Sequence, residues 1–104
     1  MERIEIEKKL LGIGANVSRK GFDYIVDAVE MIRNDPKCLE RITKVYMEIG
    51  KARGTKWESV ERCIRGEIEQ IYDRNKELPK VLEPDAYSGK LVNKEFLARF
   101  VRFV

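Results

Sequence analysis

The chain has no histidine and two cysteines among its 104 residues. Without histidine there is no Ser-His or Cys-His relay, no imidazole metal site and no proton shuttle working near neutrality. Cys38 and Cys63 are too far apart for a C-x-x-C motif, so neither a zinc site nor a disulfide framework is expected. They read as small apolar residues. No phosphate-cradling glycine loop is present; "GIG" at Gly12–Gly14 is too short to make one. Glu67 and Glu69 stand two apart, so on a helix they diverge and cannot share a substrate. The chain is therefore not expected to be an enzyme, and no metal or small-molecule cofactor is implied. The apolar runs are only a few residues long, too short for a membrane span. The opening "MERIEIEKKLLG" has no apolar stretch that would serve as a signal peptide, so the expected compartment is the cytoplasm.

What is present suits one packed domain. Hydrophobic residues make up 43%, enough for a single core at this length. The net charge is +3, and its placement matters more than its size. Residues 37–76 hold ten basic and seven acidic side chains, while the rest of the chain holds eleven of each. The excess is thus confined to the middle, a mild signal for an anionic partner.

The apolar spacing is mostly helical. Phe22, Ile25, Val26, Val29 and Ile32 form one amphipathic stripe. "NDP" at 34–36 ends it, with Asp35 placed to cap the next helix and Pro36 in its first turn. Leu39, Ile42, Val45, Tyr46 and Ile49 continue the spacing, as a short helix followed by a second. Gly54 supplies a turn, and Thr55 with Glu58 spells a T-x-x-E capping box. Trp57, Val60, Ile64, Ile68 and Ile71 then predict a helix of four turns or more with one face buried. Residues 77–92, with Pro79, Pro84 and Gly89, read as an irregular connection. Asn93 is placed to cap a last helix with Phe96, Leu97, Phe100, Val101 and Val104 on its apolar face. At the N-terminus Ile4 and Ile6 alternate like a strand, while Ile6, Leu10 and Ile13 suit a helix; helix is favoured because no partner strand is visible.

Two helices, about 44–52 and about 56–72, joined by a tight glycine-containing turn give the helix-turn-helix arrangement. With about 100° per residue and Trp57, Val60, Ile64, Ile68 and Ile71 inward, Ser59, Arg62 and Gly66 face outward. Arg65, Glu58 and Glu69 flank them, and Glu61 lies nearer the core margin. Glu58–Arg62 and Glu61–Arg65 are i,i+4 pairs in the favourable order, each contributing a few tenths of a kcal/mol. Such pairing can hold arginines extended toward a groove, where a guanidinium bonds guanine O6 and N7. It also occurs on ordinary salt-bridged surface helices. Gly66 in mid-helix is either a tolerated weakness or a point of close approach to DNA. Spacing alone leaves both a DNA-reading helix and a generic helical or adapter domain open.

Four stretches bear on that choice: "KGFDYIVDAVEMIRND" (20–35), "ITKVYMEIGKARGT" (42–55), "ESVERCIRGEIEQIYDR" (58–74) and "VNKEFLARF" (92–100). In order and spacing they resemble the C-terminal DNA-binding domain of the sporulation master response regulators, the stage-zero sporulation protein A family. The core V-E-R-x-I-R stands here at Val60–Arg65. The resemblance implies a six-helix, all-α domain over residues 1–104 with the helix-turn-helix in its middle. It implies binding to short boxes in double-stranded DNA, with promoters activated or repressed. Family domains sit side by side on repeated boxes, as a dimer would, and touch the sigma subunit of RNA polymerase. Recognition contacts carry over to Glu61, Arg62 and Arg65. Ser59 stands where the family usually has arginine, and Gly66 where it has a larger polar residue, so the preferred box or the affinity is expected to differ. Family members carry an N-terminal receiver domain, for which the residues before the second helix leave no room. A stand-alone paralogue without phosphorylation control is favoured over an excised effector domain.

The expectation is thus a sequence-specific transcriptional regulator whose helix 56–72 enters the major groove. Arg62 and Arg65 read base edges, and Glu61 orients Arg65 or accepts from a cytosine. Ser59 meets base or phosphate, and Gly66 lies on the same face. Lys44, Lys51, Lys56 and the Thr55 hydroxyl are phosphate contacts that set register. The alternative is a helical interaction module that binds a sigma factor or a full-length relative without reading DNA.

Overall fold

The ambiguous N-terminus is helical. In the computed structural model, which describes residues 3–75, 77–82 and 92–104, α1 (Arg3–Gly12) buries Ile6 and Leu10 and leaves Ile4 exposed. That one-sided burial is what the i,i+4 spacing of Ile6 and Leu10 produces. α2 (Lys20–Asn34) follows, with Phe22, Ile25, Val26, Val29 and Ile32 all buried as the stripe requires. Asp35 ends it and caps the next segment, its carboxylate accepting from the Lys37 N–H at 3.2 Å. That segment, Pro36–Arg41, is a 3-10 helix with no fully buried residue. α3 (Ile42–Arg53), α4 (Trp57–Arg74), a 3-10 turn at Lys80–Leu82 and α5 (Asn93–Phe103) complete the order.

The domain is all-α, with five α-helices and no strand among the described residues. A sixth α-helix is not among them. The irregular connection expected at 77–92 is described only in part, and its Pro84 and Gly89 fall outside the described residues.

α4 packs chiefly on α2 and α3, and α5 closes the core over α2 and α4. Phe96 stacks on Phe100 at a centroid distance of 5.6 Å and takes the edge of Tyr72 at 6.2 Å. The Tyr72 hydroxyl donates to the carbonyl of Leu82 at 2.7 Å, which ties the 3-10 turn to α4. Truncating the buried Phe96 or Phe100 to alanine would cost about 3–5 kcal/mol.

Two glycines set how closely the helices approach. A Cβ on Gly21 of α2 would lie 2.3 Å from the Cys63 carbonyl oxygen and 2.9 Å from Glu67 Cβ, so α2 and α4 meet backbone to backbone there. A Cβ on Gly50 of α3 would lie 2.6 Å from the Thr55 carbonyl oxygen. Gly54, at φ 71°, caps α3 in the left-handed region, and its N–H returns to the Gly50 carbonyl. The Thr55 N–H bonds the same carbonyl at 2.8 Å. The turn into α4 is therefore folded tightly onto the last turn of α3.

Asp27 fastens three helices together. Arg53 at the end of α3 grips it with two hydrogen bonds of 2.9 Å each, and Arg3 of α1 reaches it at 3.0 Å.

Candidate nucleic-acid interface

α4 begins one residue later than the T-x-x-E pattern predicts. Lys56, extended at ψ 148°, is its N-cap, and its carbonyl accepts the first helical bonds from Ser59 and Val60. No side chain caps the helix, so the Thr55–Glu58 box does not form. Thr55 is used instead through its backbone, in the turn. The shift also corrects Trp57. It sits in the first turn, ahead of the buried stripe, and is 38% exposed rather than inward.

Beyond that turn the stripe holds. Val60, Ile64, Ile68 and Ile71 are buried, and Arg62 and Arg65 are exposed. Ser59 and Gly66 are half-buried, flanking Arg62 on the side toward α2. The expected Glu58–Arg62 ion pair is absent among the described residues. The Glu61–Arg65 pair is present at 3.6 Å.

Glu61 has a second partner that the sequence did not reveal. Asn93, expected as the cap of α5, is instead its first helical residue, and Val92 is the N-cap. The Asn93 side chain is buried and donates to the Glu61 carbonyl at 3.1 Å and to its carboxylate at 3.4 Å. The carboxylate thus lies between Asn93 and Arg65, which fixes one flank of the exposed face. Tyr46 of α3 packs at the same place. Burial pushes its phenol above the ordinary range, and its hydrogen bond to Asn93 opposes that rise.

The opposite flank carries two further residues that spacing did not single out. Glu67 lies on the buried stripe and is fully enclosed. It accepts from the Asn16 N–H at 2.7 Å, and Arg19 Nε lies 3.0 Å from its other oxygen, an ion pair without hydrogen-bond geometry. A charged residue at an apolar-stripe position was the available signal, since a buried carboxylate requires partners.

The remaining expected contacts are exposed but scattered. Lys56 stands at the start of α4, and Lys51 in the last turn of α3. Lys44 is at the other end of α3, in a surface groove with Asp35, Lys37 and Glu40. Among the described residues no His/Cys/Asp/Glu group is disposed to hold a metal, and no helix is long and apolar enough to cross a membrane.

The domain turns sharply from α3 into its longest helix and presents Arg62 and Arg65 of that helix to solvent. The family model described as Sporulation initiation factor Spo0A C terminal matches residues 6–104, and the chain belongs to that family. The family is one of DNA-binding effector domains of regulators, not of enzymes.

Proposed function

We propose that α3 and α4 form a helix-turn-helix and that this domain reads a short box in double-stranded DNA, with α4 in the major groove. The observation that carries the reading is Arg62, exposed opposite the buried stripe and free of any ion pair among the described residues. A guanidinium there is available to a guanine edge. Arg65, held by Glu61, reads the neighbouring base, and Glu61 is itself oriented by Asn93. Ser59 lies beside Arg62 and meets base or phosphate. Lys56, Lys51 and the Thr55 hydroxyl cluster at the turn and contact phosphates, while Lys44 contributes at most a distant one. The setting is cytoplasmic transcription control, with copies side by side on repeated boxes and contact to a sigma subunit.

Met47 and Trp57, large apolar side chains 52% and 38% exposed on α3 and at the start of α4, favour a second reading as a protein-binding module. Selection from random duplexes separates the two. Enrichment of a compact box supports the regulator. No enrichment, with the polymerase sigma subunit still retained, supports the module.

A further inference from the structure

We infer that Arg19, positioned by the buried Glu67, is a DNA phosphate contact that occupies the surface left open by Gly66. The inference rests on the proposed docking of α4 in the major groove.

The geometry starts from Glu67. It is fully buried, yet its carboxylate is turned toward Asn16 and Arg19, at the entry to α2. Arg19 meets it through Nε, at 3.0 Å, and the Arg19 side chain is still 40% exposed. The two Nη nitrogens are therefore left for another partner. One of them, Nη2, lies 3.3 Å from where a Cβ on Gly66 would be. Arg19 thus extends from the start of α2 across the flank of α4 at Gly66. A Cβ there would ask the guanidinium end to give by only a few tenths of an ångström, while a larger side chain would contend with it for the same surface.

Gly66 follows Arg62 by four residues, about 40° around the helix. A helix about 10–12 Å across fills a major groove about 12 Å wide. Its outermost line then meets bases, and its flanks meet the sugar-phosphate strands. Arg62 is on the first and Arg19 on the second. The carboxylate is fully enclosed and the cation 40% exposed, so a docked phosphate meets the guanidinium first. A guanidinium can keep its Nε beside a carboxylate and still offer its Nη groups to phosphate.

The test uses three variants against the box enriched by selection and against an unrelated duplex. Arg19→Ala alone strands a buried acid and is expected to unfold more easily, so the decisive variant is Arg19→Ala with Glu67→Ala. This double variant keeps the wild-type net charge. It should melt as a folded domain, bind both duplexes about tenfold more weakly, and lower the salt slope by about one. Glu67→Ala alone retains the cation but loses its anchor, and its affinity should fall between those of the wild type and the double variant. A folded double variant that binds like wild type, or like Glu67→Ala, overturns the inference, provided that Arg62→Ala still weakens the box. If Arg62→Ala is also without effect, the docking of α4 itself is wrong, and the inference falls with it.

Discussion

Asn93 donates its side-chain amide to both the carbonyl and the carboxylate of Glu61, which joins the first turn of α5 to the exposed face of α4. The pair couples the C-terminal helix to Arg65 through one carboxylate, since Arg65 sits 3.6 Å from the other oxygen of Glu61. Asn93→Ala should therefore act on both stability and DNA binding. Loss of a buried hydrogen bond costs about 1–2 kcal/mol in urea unfolding. Affinity for the box should fall several-fold while the contribution of Arg62 is retained. A variant that loses stability but binds the box as wild type would show that Glu61 does not position Arg65.

The glycines should separate by what surrounds them. Gly21→Ala drives a Cβ into the Cys63 carbonyl, and backbone cannot yield as a side chain does. The expected loss is about 1–3 kcal/mol or more. Gly66→Ala meets only the end of Arg19, and removing glycine from a helix interior gains up to about 1 kcal/mol. Thermal melts of the two variants should move in opposite directions.

These glycines also mark where the sequence stops being informative. The stripes of α2 and α4 were legible because every buried aliphatic obeys one local period. The role of Gly21 was not, because it depends on Cys63 and Glu67, which a different helix brings against it. In the sequence Glu67 is only a helical acid, since its partner Asn16 lies 51 residues away in the chain. Thr55 looked like a cap by pattern. Which residue caps depends on where the backbone leaves the extended region, and the tight return of the Thr55 N–H to Gly50 moves that point to Lys56. The exposure of Arg62 and Arg65 is legible, because it follows from the same period that buries Val60 and Ile64.

Alkaline pH should weaken the fold. Burial raises the phenols of Tyr72 and Tyr46 above their ordinary value of 10.0. The unfolded chain then ionises first, near pH 10, while the folded domain keeps both protons. Their contribution is fully present below that pH and is lost as the pH rises through the folded values. Urea unfolding from about pH 8 to about pH 11 should show stability falling at the upper end. Tyr72→Phe should flatten the fall, at the cost of the hydrogen bond to Leu82.

Lys56 and Arg62 should differ in kind. Lys56→Ala is expected to weaken binding to all duplexes alike and to lower the salt slope by about one.

The most direct measurement is the affinity of Arg62→Ala for the selected box and for versions of it changed at single base pairs, by fluorescence anisotropy at fixed salt. Base reading by Arg62 predicts a loss of about 1–3 kcal/mol that disappears at one substituted base pair, where wild type and variant bind equally. An equal loss on every duplex, or no loss at all, would contradict α4 as the helix that reads DNA.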